Sequence, residues 1–348
     1  YTEDQHKERV GIPTINAARM AVDEINNAGG VRMKSRLTPI ELIVEGVASS
    51  PQRAVASMRK LTNRQNVSAI VGLHYSVDAI PAGAFADKAQ IPFISPMSTS
   101  SYTTQDRNYV FRMSFLDEQQ GSVMARFAYH ELGSRRAAVL FDRTDPYSSG
   151  IAEVFSTTYL DLGGAVVSYQ PFVYDTVDYK QTINLIKSAS PDVLYLPGFA
   201  ADVRIQAKIA RENGLNVRLL GADGWNANKF SHETEFFDSY MTTHWINSPD
   251  FSGAAEFTAK YQRKYNDEPD AVAALTYDAM KFLFKALEHS GRRDGVSLRK
   301  AMIAMDPYDG VAGTVDFIEN GDPVKGVVVV NLQAEKVSLK KIVQRGEL

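Results

Sequence analysis

The stretch Ala137-Ala138-Val139-Leu140-Phe141, followed by residues 148–162, Gly163-Gly164 and then Ala165-Val166-Val167-Ser168-Tyr169, decides the fold. A short continuous apolar run reads as a strand covered on both faces, and the longer segment after it reads as a helix. The glycine pair stops that helix, because glycine tolerates the left-handed backbone of a helix end. A second β-rich run follows at once. Strand, helix, glycine stop and strand in this order make a crossover unit that joins parallel strands.

The same unit recurs on both sides. Toward the C-terminus a helix over 179–188 leads to a strand over 193–197, and a helix over 201–213 stops at Gly214 before a strand over 217–221. Toward the N-terminus a helix over 119–132 ends at Gly133. Earlier still, Ile15, Ala18, Val22 and Ile25 mark one face of a helix over 12–29 that ends at Asn27-Ala28-Gly29-Gly30. A strand over 39–44 follows. Next comes a helix over 51–65, with Pro51 in its first turn and Ala54, Met58 and Leu61 facing inward. A strand over 67–73, a helix over 79–88 and a strand over 91–95 continue the alternation. After Trp245 the style changes to helices over 253–265, 271–289 and 298–305. The tail is β-rich over 313–318, 327–332 and 337–343, with Glu319-Asn320-Gly321-Asp322 as a hairpin turn. There is no low-complexity linker, so two α/β lobes must share several crossings of the chain.

With 348 residues the chain fits two domains of ordinary size. A hydrophobic share of 44% and a charged share of 23% are those of a globular protein. A net charge of −3 without a Lys/Arg stripe excludes a nucleic-acid footprint. No apolar run approaches the roughly 20 residues of a membrane-spanning helix. Cysteine is absent, which removes disulfides, thiolate metal sites and Cys nucleophiles within these residues. The sequence opens on Tyr1 rather than Met, for which a cleaved export signal and a trimmed chain stand as alternatives.

Catalytic signatures are missing. Neither the dinucleotide fingerprint nor the P-loop occurs, and neither do G-x-S-x-G and H-E-x-x-H. The histidines His6, His74, His130, His232, His244 and His289 show no metal-ligand spacing. His130 and His289 fall near helix C-termini, where an imidazole answers the helix dipole. Asp267-Glu268 with Asp270 reads as a solvated loop between helices rather than an acid/base pair. The expectation is a non-enzyme without cofactor or metal.

Open α/β sheets bind ligands in loops at the carboxyl ends of their strands. Gly72-Leu73-His74-Tyr75-Ser76 and Ser95-Pro96-Met97-Ser98-Thr99-Ser100 are two such loops. They offer hydroxyls and main-chain N–H groups near a helix N-terminus, which suits a carboxylate; helix capping by Ser76 and turn formation are the alternative. Three further loops are Asp145-Pro146-Tyr147-Ser148-Ser149-Gly150, Pro197-Gly198-Phe199 and Gly221-Ala222-Asp223-Gly224-Trp225. Asp223 suits an ammonium group or a turn. Tyr147, Phe199 and Trp225 suit either a core or a cleft that excludes water.

The order of these motifs resembles the leucine/isoleucine/valine-binding protein family, the type I periplasmic binding proteins of ABC importers. The resemblance runs from Asn16-Ala17-Ala18-Arg19 and Glu24-Ile25-Asn26-Asn27-Ala28-Gly29-Gly30-Val31 through Ala69-Ile70-Val71-Gly72 and Ile94-Ser95-Pro96. It continues through Phe111-Arg112, Gln120-Gly121 and Tyr147-Ser148-Ser149-Gly150 to Leu220-Gly221-Ala222-Asp223-Gly224 and Thr276-Tyr277-Asp278-Ala279. It implies two Rossmann-like lobes with parallel-rich sheets, joined by a three-strand hinge. The N-terminal lobe would hold residues 1–118 and 247–325, and the C-terminal lobe 119–246 and 326–348. It also implies an amino-acid ligand between closing lobes, with Ser76 and Thr99 on its carboxylate and the backbone of His74 and Met97 in the same loops. Tyr147 and Asp223 would meet the ammonium, and Phe199 would cover the ligand. Tyr75 and Trp225 complete the candidate set. A zwitterion taken from water needs each charge paired, which agrees with this division.

The sequence departs from the family in two places. Ser49 and Tyr75 stand where some members carry a disulfide pair, and Val10 and Val272 stand where branched-chain binders place large aromatics. The amino-acid backbone of the ligand is therefore better specified than its side chain, and aromatic acids and amides remain alternatives. The resemblance further implies ABC permease partners, a monomer, and an extracytoplasmic location, with a lipid anchor upstream of Tyr1 as one version. A sensory domain of the same fold is the second reading, and an α/β enzyme the third.

Overall fold

Helix Ile12–Asn27 forms because Ala17, Ala18, Ala21 and Val22 share a face that can be buried, and Pro13 occupies its first turn, where no N–H partner is needed. Beyond its end at Asn27 the chain turns at Gly30, whose φ of +99° suits only glycine. A Cβ there would lie 2.4 Å from the Thr38 carbonyl oxygen, so the hairpin of Val31–Met33 and Arg36–Thr38 could not close. The computed structural model describes residues 10–47, 50–64, 66–173, 178–317 and 321–344. The Glu319-Asn320 half of the expected turn, Gln65, Ile318, Ser49 and His6 lie outside the described residues.

The chain divides into two compact units: Tyr1–Phe115 with Trp245–Lys325, and Leu116–His244 with Gly326–Leu348. In the first unit, Ile70–Val71, Phe93–Ser95 and Val110–Arg112 form a parallel three-stranded sheet. Helices Pro51–Thr62 and Ser76–Lys88 pack on it through Ala54, Met58, Ala79, Ala82 and Ala86. Helix Ala271–Ser290 is buried along most of its length and is capped by Asp270, which accepts the Ala273 N–H at 3.0 Å. An antiparallel sheet of Tyr308–Gly310, Gly313–Phe317 and Pro323–Val324 completes the unit.

The second unit has a seven-stranded sheet. Its order is Lys336–Val343, Val327–Gln333, Ser239–Thr243, Arg218–Gly221, Val193–Leu196, Arg136–Asp142 and Ala165–Phe172. The last five are mutually parallel, and Val327–Gln333 runs antiparallel to both of its neighbours. All four residues of Val193–Leu196 are buried, as an apolar central strand covered by helices requires. Those helices include Pro146–Asp161, Tyr179–Ser188 and Ala200–Glu212. This mixed, parallel-rich α/β architecture is the expected fold class.

Two local expectations need correction. Residues 39–44 do not form a strand, because a strand exists only with a ladder partner and none of the described residues makes a backbone ladder with them; the Asn26 side chain alone bonds the N–H and C=O of Ile40. The strand expected over 67–73 contracts to Ile70–Val71, paired on one side alone. The strands Val110–Arg112 and Ser239–Thr243 escape the apolar pattern because arginine, serine and threonine interrupt it.

Candidate functional site

In the first unit the loops after Ile70–Val71 and Phe93–Ser95 are tied together. Ser95 Oγ donates to the Leu73 carbonyl at 2.8 Å and accepts the Ser98 N–H at 3.1 Å. That tie holds Leu73 at φ 56°, a left-handed conformation that side chains resist. Ser76 is the first residue of helix Ser76–Lys88 rather than its cap, and Tyr75 before it makes no side-chain cap bond. The helix therefore presents N-terminal N–H groups without an internal side-chain acceptor. Ser76 Oγ lies 2.9 Å from Ser98 Oγ and accepts the Ser100 N–H at 3.4 Å. Thr99 Oγ1 is buried and has no hydrogen-bond partner among the described residues. Burying a hydroxyl unpaired costs about 1–3 kcal/mol, so its vacancy calls for an acceptor or donor from elsewhere.

Arg112 holds this loop from below. Its guanidinium is fully buried and paired with Asp322 at 2.7 Å. It also donates to the Ser98 carbonyl at 2.9 Å and to Thr104 Oγ1 at 2.6 Å. Three groups fixed by one planar fork set the path of residues 98–104. Met97 and Tyr75 are buried beside these loops. His74 turns toward helix Ile12–Asn27, its Nε2 2.6 Å from Thr14 Oγ1.

In the second unit, Asp223 stands two residues beyond strand Arg218–Gly221 and is buried. Its Oδ1 accepts from Tyr147 Oη at 2.8 Å and Gln120 Nε2 at 2.9 Å, and its Oδ2 lies 3.0 Å from His244 Nε2. Burial alone would raise its pKa, but His244, Gln120 and Tyr147 outweigh burial and hold the carboxyl below its ordinary value. Asp223 is therefore an anion at neutral pH. Burial, reinforced by Asp223, pushes the Tyr147 phenol well above its usual range, so its proton stays on and points at the carboxylate. The phenol oxygen also accepts the Gly224 N–H at 2.6 Å. Residue 224 is glycine for this reason: a Cβ would lie 2.7 Å from the Tyr147 oxygen.

Gln120, in helix Asp117–Arg126, is saturated. Its amide N–H groups go to Asp223 and, at 3.0 Å, to Asp117 Oδ1. Its oxygen accepts from Thr242 Oγ1 at 2.8 Å and the Asp223 N–H at 3.3 Å. Two buried acids, Asp117 and Asp223, thus meet on one amide, with His244 against Asp223. The ionised Asp223 favours a cation beside it. Phe199 stacks on Tyr147 with centroids 4.9 Å apart, forming an aromatic wall beside the carboxylate. Trp225 lies apart from that wall: its indole N–H is spent on the Leu196 carbonyl at 2.9 Å and its ring packs on Phe230 and Phe236. Among the described residues no group of three or more His, Asp or Glu could hold a metal ion, and no helix is long and apolar enough to cross a membrane.

Residues 8–336 match the family described as periplasmic binding protein. The chain belongs to that family. It is 26% identical over 308 residues to Leu/Ile/Val-binding protein homolog 1 of Brucella abortus, covering 88% of this chain and 81% of that one. It superposes on a leucine binding protein of Thermotoga maritima with a TM-score of 0.87 and 27% identity, covering 97% of this chain and 95% of that one. It superposes on a branched-chain amino acid transporter substrate binding protein of Streptococcus pneumoniae, solved with isoleucine, with a TM-score of 0.88 and 26% identity, covering 96% and 94%. In this periplasmic binding protein three contributors escaped sequence reasoning. Gln120 and Arg112 are polar residues inside regular elements, where no periodicity marks them. His244 directly follows strand Ser239–Thr243, so recognising that strand would have exposed it by the same rule that found Asp223.

Proposed function

We propose that this periplasmic binding protein captures a small neutral amino acid, of branched-chain type, for an ABC importer. The carrying observation is Asp223, a buried carboxylate kept ionised and aimed by His244, Tyr147 and Gln120. Asp223 and Tyr147 receive the ammonium group, with Phe199 against the ligand. In the other unit Ser76, the vacant Thr99 hydroxyl and the open helix N-terminus receive the carboxylate. The names of the relatives in Brucella and Thermotoga, and the isoleucine bound to the Streptococcus protein, support a branched-chain side chain. Export from the cytoplasm and delivery to membrane permease subunits, by a monomer, belong to the same reading.

Calorimetry with L-leucine and its two truncated analogues tests it. Leucine should bind and raise the melting temperature. The amine lacking the carboxylate and the acid lacking the ammonium should each bind more than about a hundredfold more weakly, since each strands one buried partner. Stabilisation by an aromatic acid and by no amino acid would overturn the proposal.

A further inference from the structure

Ser76, which the proposed function sets against the ligand carboxylate, is the end of a row of hydroxyls. Behind it in the first unit lie Ser98 and Thr103, both buried. Ser76 Oγ is 2.9 Å from Ser98 Oγ, and Ser98 Oγ is 2.6 Å from Thr103 Oγ1. The row thus leads from the first residue of helix Ser76–Lys88 to Thr103, which has no exposed surface.

The main chain under this row is pinned. Ser98 donates its N–H to Ser95 Oγ at 3.1 Å, and its carbonyl accepts from Arg112 Nη1 at 2.9 Å and Ser114 Oγ at 2.8 Å. Thr103 donates its N–H to the Ser100 carbonyl at 3.0 Å, and its own carbonyl accepts from Arg107 Nη1 at 2.8 Å. With N–H and C=O both engaged, only the hydroxyl protons remain free to turn.

Three hydroxyls carry three protons, and the row has two links. One proton is left over, and its place fixes the direction of the whole row. If Ser76 donated to Ser98 and Ser98 to Thr103, the surplus would sit on Thr103. If both ends donated to Ser98, it would sit on Ser98. Among the described residues neither of these oxygens has an acceptor outside the row, and a buried donor left unpaired costs about 1–3 kcal/mol. The remaining place is Ser76, at the helix head in the loop assigned to the ligand. Ser76 Oγ also accepts the Ser100 N–H at 3.4 Å, which takes one of its two lone pairs.

We infer that Thr103 donates to Ser98 and Ser98 to Ser76, so that Ser98 and Thr103 are positioning residues and Ser76 is a donor only. Each donation polarises the next hydroxyl, and Ser76 offers its proton more strongly than a lone serine would. Its second lone pair is filled by Ser98, so it takes no proton from a ligand. The row therefore favours an acceptor at this point, a carboxylate before a carboxamide, whose NH2 group is a donor. Thr99, with no partner among the described residues, can turn either way, so the two hydroxyls assigned to the carboxylate differ in kind. The preference for a ligand rests on the proposed function; the direction of the row does not.

Neutron diffraction from deuterated crystals of the free protein reads that direction. The Thr103 deuteron should lie toward Ser98, the Ser98 deuteron toward Ser76, and the Ser76 deuteron off the row; either link reversed overturns the inference. Calorimetry with L-leucine and leucinamide reads the consequence. Ser98→Ala frees a lone pair on Ser76, so leucine affinity should fall about fivefold while leucinamide affinity holds. An equal loss for both ligands is what a disturbed loop would give, and it would count against the row. At Thr103 packing and donation pull in opposite directions, since valine keeps the shape without the donor and serine keeps the donor without the methyl. Thr103→Ser should retain the parent's preference for leucine over leucinamide, and Thr103→Val should narrow it about twofold; the opposite order would refute the assignment. Should leucine fail to bind the parent, the proposed function falls and the neutron map alone decides the inference.

Discussion

Asp223 in the second unit and Asp278 in the first are both buried, and the two behave in opposite ways. Asp223 in the second unit is held below its ordinary pKa by His244, Gln120 and Tyr147, despite burial. Asp278 in the first is pushed up by burial to about 6, although it accepts the Val311 and Ala312 N–H groups at 2.8 Å each and has Lys325 and Tyr308 nearby. Hydrogen bonds from neutral donors are present in both. What separates them is an imidazole in direct contact with Asp223, whereas Lys325 acts on Asp278 from beyond ion-pair distance. Contact with a basic group, more than the number of donors, decides which way a buried acid's pKa moves. Asp223 suits ligand capture, and Asp278 instead fastens the turn at Val311 and Ala312.

The largest expected break of this contrast is Asp223→Asn. It keeps the shape but removes the charge, so leucine affinity should fall more than about a hundredfold, as breaking a buried pair costs about 3–5 kcal/mol. Isothermal calorimetry reads it directly; affinity within a factor of three of the parent would contradict the assignment. Next, His244→Phe should cost about 2 kcal/mol of stability by stranding a charged acceptor. It should also lift the Asp223 pKa toward that of Asp278, visible in a carboxyl titration by NMR.

Asp278 gives a pH-dependent prediction. Its pKa is about 6 in the folded chain against an ordinary 3.8, so between these values the folded protein holds a proton that the unfolded chain releases. Its contribution to stability therefore falls as pH rises from 4 to 6.5, by about 1–3 kcal/mol. In Asp278→Asn that fall should vanish, and the melting temperature of the variant relative to the parent should climb across this window. A constant difference would show that burial does not raise Asp278. The smallest effect is expected at Thr99→Val. The vacant buried hydroxyl contributes nothing to the free protein, so stability should hold or rise slightly, while leucine affinity drops about tenfold.

The sequence made the second unit far more legible than the first. Val193–Leu196 and Arg136–Asp142 are apolar runs whose neighbours are all present, so local pattern and final burial agree. Residues 39–44 carry the same kind of pattern, yet pattern specifies only a willingness to pair. Tyr147 and Asp223 could be read because both follow closely on strand ends, Tyr147 in the first turn of helix Pro146–Asp161 and Asp223 in a loop, and the structure brings their side chains within 2.8 Å. Gln120 could not be read as a hub, because its role depends on Thr242 and Asp223, partners 122 and 103 residues away. Trp225 shows the converse: a conspicuous aromatic in a promising loop whose indole serves the core.

Those separations also carry a consequence in time. The Gln120 amide closes four hydrogen bonds across three segments, and contacts so distant along the chain form only after long loops have been ordered. Helices such as Pro146–Asp161 can form early from local interactions, but the acid receptor around Asp223 cannot exist until the whole second unit has condensed. In refolding experiments, helical signal should therefore return before affinity for leucine. Capture of the ligand would then report the final step of folding.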